Sequence, residues 1–202
     1  LPAGETGPAI RPFLRSLAYP DGDTPPLAAA QIPALAAWLV AQGMGPLAYR
    51  RYQAFSPPLA SALTGDYYSA LAEQTVRSRA LEQVEEALQQ AAIPYGLLKG
   101  AALSRSAYRH PTERVMSDVD FWLQASHMGQ AWQLLHELGY SAAGKESRPP
   151  ALQQLSQGEI QFTGPAGVLV ELHWSPFPGW WLQRTAAIDS AVLWSRLEPL
   201  DE

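Results

Sequence analysis

The chain has 202 residues, of which 47% are hydrophobic and 16% are charged. This composition supports a packed core and excludes wholesale disorder, and the length suits one large domain or two small ones. A net charge of −5 gives no global attraction to nucleic acid, and the absence of cysteine excludes disulfides, thiolate metal sites and cysteine nucleophiles. No apolar run approaches the roughly 20 residues that cross a bilayer, and no signal peptide is recognisable, so we expect a cytoplasmic protein with no membrane partner.

The first half of the chain is predicted to be helical. Residues 1–26 are rich in proline and glycine and indicate a lead-in with one short helix near residues 12–18. The spacing of apolar residues then predicts helices over residues 31–42, 45–53 and 57–90. Gly65 is a candidate break in the last of these.

The pattern changes at Ile93, where short apolar runs begin to alternate with helical ones. Strands are predicted over residues 95–98, 118–123, 159–163 and 168–174, the last two as a hairpin. Helices are predicted over residues 100–108, 128–138 and 181–197, and loops over 109–116 and 145–156. The order predicts an α+β fold, with a Pro-rich lead-in and helical region (1–92) packed on a small mixed sheet (93–202).

The sharpest local feature is Ser117-Asp118-Val119-Asp120-Phe121, where the second predicted strand begins. Because side chains alternate along a strand, Asp118 and Asp120 face one way and Val119 and Phe121 face the other. Two neighbouring carboxylates repel each other, and a divalent cation between them relieves that repulsion. Magnesium suits such an all-oxygen site and keeps water and phosphate oxygens as its other ligands. The alternative is an exposed strand end with two solvated aspartates.

A lone acid interrupts the last predicted strand. Alternation places Glu171 and His173 on one face, and Val170 and Leu172 on the other. An acid inside an apolar, β-branched run is unfavourable without a partner, and a metal ion shared with the aspartates would be such a partner. The alternatives are a salt bridge from Glu171 to an arginine and a structural role for His173.

A glycine turn joins the first predicted strand to the following helix, in Leu98-Lys99-Gly100-Ala101. The N-terminus of a helix presents free backbone N–H groups and the positive end of the helix dipole, which favour phosphate. Gly100 lets the backbone approach a ligand closely, and Lys99 adds a positive charge. An ordinary strand-to-helix turn has the same pattern, so this segment is informative only together with the carboxylates.

Together, the glycine turn, the aspartate pair and the later lone acid form the layout that two-metal nucleotidyl transfer needs. Residues 93–174 resemble the nucleotidyltransferase superfamily that includes DNA polymerase β, and within it the uncharacterised nucleotidyltransferase family of bacteria. The segments that carry the resemblance are Leu97-Leu98-Lys99-Gly100, Arg114-Val115-Met116-Ser117-Asp118-Val119-Asp120 and Glu171-Leu172-His173-Trp174.

The resemblance implies a set of site residues. Asp118, Asp120 and Glu171 would be the catalytic carboxylates that bind the metal ions, Mg²⁺ or Mn²⁺. Gly100 would position the triphosphate of an NTP, although Ala101 replaces the Gly or Ser usual at the next position, so backbone N–H groups must replace a hydroxyl. Further nucleotide-binding candidates are Lys99, Arg114, Ser117 and His173.

The resemblance also implies a reaction, namely transfer of a nucleoside monophosphate from an NTP to a hydroxyl of an unidentified small-molecule or protein acceptor. A non-catalytic nucleotide-binding or interaction domain with the same fold is the alternative. A glycosyltransferase also uses an Asp-x-Asp pair, but normally after an alternating β-α half, whereas the residues before Ile93 have helical spacing. Nucleic acid is disfavoured, because few Lys or Arg residues surround the aromatic residues near the C-terminus.

Overall fold

The computed structural model describes residues 7–19, 26–142, 158–175 and 189–198. These residues form seven α-helices and one five-stranded mixed sheet, which confirms the predicted α+β fold. The helices are α1 (Gly7–Ala18), α2 (Ile32–Ala41), α3 (Gly45–Tyr52), α4 (Pro57–Gln90), α5 (Lys99–Ser106), α6 (Met128–Glu137) and α7 (Ser190–Trp194). The strands are β1 (Tyr95–Leu97), β2 (Asp118–Leu123), β3 (Ser141–Ala142), β4 (Glu159–Thr163) and β5 (Leu169–His173).

Most predicted elements form within a few residues of their expected bounds. The long helix α4 continues through Gly65 without a break. The predicted loop over residues 145–156 lies outside the described residues, as do residues 181–188 of the predicted closing helix. Within the described remainder of that prediction, the helix is α7. Within the described ranges, no helix has both the length and the apolar character needed to span a membrane.

The described residues separate into two compact units. The first contains those up to Gln74 together with Arg109–Val115, and the second contains those in Thr75–Tyr108 and from Met116 onward. One boundary between the units therefore lies within α4, and the other two lie on either side of Arg109–Val115. That residues 1–92 and 93–202 form separate domains stays a prediction.

The first unit has its own helical core. Phe13 of α1 stacks on Tyr52 of α3 with ring centroids 4.7 Å apart, and both side chains are fully buried. Leu39 of α2 and Leu63 of α4 belong to the same apolar cluster. Apolar residues at helical spacing thus bury one stripe of each helix, as the sequence pattern requires.

The sheet of the second unit has the strand order β1-β2-β5-β4-β3. Strands β2 and β5 pair in parallel, whereas β1 with β2, β5 with β4 and β4 with β3 pair antiparallel. The hairpin of β4 and β5 forms as predicted. Strand β3 has no counterpart in the prediction, because two exposed residues carry no pattern of alternation.

One face of the sheet is predominantly apolar. Val119 and Phe121 of β2 and Val170 and Leu172 of β5 are fully buried against side chains of α4 and α6. Because side chains alternate along each strand, the polar residues of β2 and β5 project from the opposite face. The apolar core therefore determines which side of the sheet carries the candidate functional residues.

Candidate active site

The parallel pairing of β2 with β5 brings two of the three predicted carboxylates together, Asp120 and Glu171. In this register Asp120 lies directly opposite Glu171, and Trp122 lies opposite His173. The turn that follows β1 lies beside Asp120, because the backbone N–H of Leu98 donates a hydrogen bond to the backbone carbonyl of Asp120. Three separate segments therefore meet on the polar face of the sheet.

The side chains at this point form a compact charged cluster. Oδ1 of Asp120 lies 2.6 Å from Nζ of Lys99 and 2.9 Å from Nε2 of His173. Oε2 of Glu171 lies 3.3 Å from the same Nζ and 3.4 Å from the same Nε2. Asp120 and Glu171 thus share two basic groups, the ammonium at the end of the flexible Lys99 side chain and the imidazole of His173 on β5.

The cluster is buried at its base and open at its edge. Asp120 is 0% exposed and His173 is 1% exposed, whereas 47% of the Lys99 side chain is accessible to solvent. The second oxygen of Asp120, Oδ2, is buried and has no hydrogen-bond partner among the described residues. A buried oxygen without a partner is costly, so it is available to a ligand that enters the site.

The contacts shift the pKa values of the cluster in the direction of charge pairing. The hydrogen bond from His173 and the positive charge of Lys99 outweigh burial and lower the pKa of Glu171 to about 2. Burial alone would lower the pKa of His173, but its bonds to Asp120 and Glu171 outweigh burial and raise that pKa to about 9. The two carboxylates likewise raise the pKa of Lys99, against the effect of its burial.

Strand β4 adds two polar residues that are not among the predicted site residues. Nε2 of Gln161 donates a hydrogen bond of 3.1 Å to Oε1 of Glu171, its register partner. Oε2 of Glu159 lies 3.3 Å from Nδ1 of His173, which is also its register partner. Period-two alternation in the predicted hairpin places both residues on the polar face, and this signal could have identified them.

Three predicted site residues make their described side-chain contacts elsewhere, Asp118, Ser117 and Arg114. Asp118 is in register with Leu169 rather than with Glu171, is partly exposed, and accepts a 2.9 Å hydrogen bond from Oγ of Ser117. Arg114 belongs to the first compact unit, where its guanidinium donates to the carbonyl of Val115. Metal binding by Asp118 and nucleotide binding by Ser117 and Arg114 stay predictions.

The glycine turn has a packing requirement as well as a predicted ligand. A Cβ atom added to Gly100 would lie 2.9 Å from Cγ of the buried Met116, so the second residue of α5 has no room for a side chain. Lys99 occupies the left-handed region, with φ +47°, at the first position of α5. The backbone is thus turned sharply at the residue whose ammonium reaches the carboxylates.

The donor set fits a divalent cation. Asp120, Glu171 and His173 each offer one ligand atom, and these atoms all lie within 4.8 Å of one another. Carboxylate oxygens are the ligands that Mg²⁺ and Mn²⁺ prefer, and the unpartnered Oδ2 of Asp120 supplies a further lone pair. Of the sequence-predicted metal ligands, this group contains Asp120 and Glu171.

Comparison with known proteins identifies the family of the chain. Residues 28–202 match the model of a family described as uncharacterised nucleotidyltransferase. The chain belongs to this family. Part of it is similar to a solved structure titled as the lincosamide antibiotic adenylyltransferase LnuA with lincomycin bound, at 16% identity and a TM-score of 0.34. That similarity covers 47% of this chain and 53% of the other, so the chain spans about half of that protein's length. No curated protein sequence matches significantly.

The aromatic residues near the C-terminus contribute to packing where the structure describes them. The ring of Trp194 in α7 meets that of Trp122 edge to face, with centroids 4.9 Å apart. Trp174 is partly buried and packs against the core of the second unit. Both contacts are with other parts of the protein. That nucleic acid is not a partner stays a prediction.

Proposed function

We propose that this protein is a metal-dependent nucleotidyltransferase that moves a nucleoside monophosphate from an NTP to a hydroxyl of a small-molecule or protein acceptor. Membership of a nucleotidyltransferase family supports nucleotidyl transfer in general terms. The single observation that carries the finer proposal is the pairing of Asp120 with Glu171 beside the Lys99–Gly100 turn. A carboxylate pair and a cationic turn in one place are what a metal-bound triphosphate requires.

The metal ion would be held by Asp120 and Glu171, with Asp118 as a further ligand that the sequence predicts. When bound, Mg²⁺ or Mn²⁺ neutralises the phosphate oxygens and favours the nucleophilic form of the acceptor. The pKa of Glu171, about 2, makes this carboxylate a poor proton acceptor at neutral pH. Glu171 is therefore better suited to act as a ligand than as a general base.

Lys99 and the first turn of α5 would bind the phosphates. The ammonium of Lys99 ends a flexible, half-exposed side chain and can reach a phosphate oxygen as a point charge. The first backbone N–H groups of α5 have no partner within the helix and favour an anion. Arg114 and Ser117 complete the predicted set of nucleotide-binding residues.

The reaction forms a bond from the acceptor oxygen to the α-phosphorus and breaks the bond from that phosphorus to the bridging oxygen. Pyrophosphate leaves with the electron pair of the broken bond, and the hydroxyl proton passes to solvent. Negative charge grows on the phosphoryl oxygens in the transition state, so fixed positive groups around them lower the barrier. Lys99 is the described positive group nearest to the carboxylate pair that is also open to solvent.

A thermal-shift experiment tests binding. The four ribonucleoside triphosphates are added with and without Mg²⁺ or Mn²⁺, and we expect stabilisation only when nucleotide and cation are both present. At a nucleotide concentration about 100 times Kd, linkage gives about 2.7 kcal/mol, or a rise in Tm of roughly 5–10 °C for a protein of this size. Stabilisation by nucleotide that is independent of any cation would contradict the metal assignment.

Turnover is tested with Glu171→Gln and a matched control, Glu137→Gln, which changes an exposed glutamate of α6. Pyrophosphate release is measured with sugar-containing small molecules and hydroxyl peptides, and the intact mass of the protein reports self-modification. We expect Glu171→Gln to keep triphosphate binding and lose pyrophosphate release, and Glu137→Gln to keep both. Cation-dependent binding without release of pyrophosphate by the wild type would favour the alternative, a non-catalytic nucleotide-binding domain.

A further inference from the structure

A buried histidine nitrogen lies against the paired carboxylates. Nε2 of His173 is 2.9 Å from Oδ1 of Asp120 and 3.4 Å from Oε2 of Glu171, and the imidazole is 1% exposed. Ligands at right angles around one divalent cation, with bonds of about 2.1 Å, lie about 3 Å apart. The separations of this nitrogen from the two oxygens are therefore close to those of neighbouring ligands on one cation.

Two further observations indicate a ligand site rather than a structural histidine alone. Oδ2 of the fully buried Asp120 has no hydrogen-bond partner among the described residues. Behind the imidazole, Oε2 of Glu159 lies 3.3 Å from Nδ1, although the ring N–H makes no aligned hydrogen bond to it. A carboxylate near the far nitrogen is the arrangement that holds metal-bound histidines in one orientation and one tautomer.

We propose that Nε2 of His173 is a nitrogen ligand of the metal site and that Glu159 is the positioning residue that orients it. This inference rests on the proposed function, since it concerns the same cation. The site then offers two carboxylates and one imidazole. Coordination would require an unprotonated Nε2, with the ring proton on Nδ1, which faces Glu159. It would also require the ammonium of Lys99 to leave Asp120, which its flexible, half-exposed side chain permits.

A nitrogen ligand changes which cation the site prefers. Oxygen-only sites suit Mg²⁺, whereas imidazole suits first-row transition metals. The site is therefore selective for Mn²⁺ over Mg²⁺, and that selectivity resides in His173. Glu159 affects the affinity for Mn²⁺ only through the orientation of the imidazole, because its own carboxylate lies on the far side of the ring.

The experiment uses Mn²⁺ alone, without nucleotide. Continuous-wave EPR measures free Mn²⁺ and gives Kd, and electron spin-echo modulation of the bound ion detects a coordinated ¹⁴N. The chain has four histidines, so a variant with His110→Gln, His127→Gln and His136→Gln leaves His173 as the sole histidine. ¹⁵N-histidine labelling of this variant and of the wild type assigns the coupling without altering His173.

We expect ¹⁴N modulation of bound Mn²⁺ in the wild type and in the sole-histidine variant. In both proteins, ¹⁵N-histidine labelling should replace the ¹⁴N modulation with a ¹⁵N coupling. His173→Gln should abolish the coupling and weaken Mn²⁺ binding at least tenfold, with a smaller effect on Mg²⁺ measured by competition. Glu159→Gln should keep the coupling and weaken Mn²⁺ binding by about tenfold, the effect usual for a residue that orients a metal ligand.

The two proposals fail in different ways. Bound Mn²⁺ without a histidine nitrogen coupling overturns the assignment of His173 and leaves a carboxylate metal site in place. An absence of Mn²⁺ binding by the folded wild-type protein overturns both the nitrogen ligand and the metal dependence of the proposed function. An unchanged Mn²⁺ affinity in a folded Glu159→Gln variant overturns the positioning role.

Discussion

Replacing Asp120 with asparagine is expected to destabilise the protein in EDTA far more than the same replacement at Asp118. Asp120 is fully buried, and Oδ1 accepts from both Lys99 and His173. Asp118 is partly exposed, and the described contact of its carboxylate is the hydroxyl of Ser117. Asparagine at position 120 would leave the buried imidazolium without its nearest negative charge.

The size of the effect follows from the contacts of His173. The rise in the pKa of His173 from 6.5 to about 9 corresponds to about 3 kcal/mol, because one pKa unit equals about 1.4 kcal/mol. In the variant, Glu171 still contacts the imidazole of His173 and keeps part of this free energy. Loss of the contact between Asp120 and the half-exposed Lys99 adds little to the cost in stability. We therefore expect Asp120→Asn to cost about 2–3 kcal/mol, and Asp118→Asn to cost less than about 0.5 kcal/mol.

Urea denaturation near pH 6 and near pH 10 measures both the cost and its pH dependence. A group whose folded pKa is raised contributes stability below its unfolded pKa and loses that contribution as the pH rises through the folded value. The contribution of His173 is thus complete below about pH 6.5 and is lost above about pH 9. The difference between wild type and Asp120→Asn should therefore shrink by more than half between the two conditions.

A difference of less than about 1 kcal/mol between the free energies of unfolding of the two variants near pH 6 would refute a stabilising role for the buried contacts of Asp120. An equal deficit of Asp120→Asn at both pH values would show that the lost interaction does not involve the charge of His173. Circular dichroism before denaturation checks that each variant starts from the folded state.

Three further predictions concern the turn and the helix that follows it. Gly100→Ala should lower the free energy of unfolding by about 1–2 kcal/mol in denaturant, because the added Cβ would lie 2.9 Å from Cγ of Met116. The same substitution should cost nothing in a Met116→Ala background, and an equal cost in both backgrounds would exclude this clash. Lys99→Met should weaken triphosphate binding more than nucleoside binding in calorimetry, and equal losses would argue against contact with phosphate. Glu85→Gln breaks a two-bond ion pair with Arg105, at 2.7 Å and 2.6 Å, and should lower stability by about 2 kcal/mol while Mn²⁺ affinity stays unchanged.

Local periodicity was sufficient to predict which residues share a face. Alternation along a strand is a property of the extended backbone, so Asp120 projects away from Val119 and Phe121 in any sheet that buries those two. Alternation likewise places Glu171 and His173 on one side of β5. Strands β4 and β5 are neighbours in the chain and form a hairpin, so the position of Glu159 and Gln161 on the polar face could also have been predicted from the sequence.

The pairing of distant segments was decided only by the tertiary structure. Asp118 and Asp120 are equivalent by alternation, but the parallel register sets Asp120 opposite Glu171 and Asp118 opposite Leu169. That register depends on backbone hydrogen bonds and core packing between segments about 50 residues apart, which no local pattern encodes. The approach of Lys99 to the carboxylates likewise depends on β1 pairing with β2. The sequence by itself therefore determined which side chains lie on the polar face, and the packed sheet decided which of them meet.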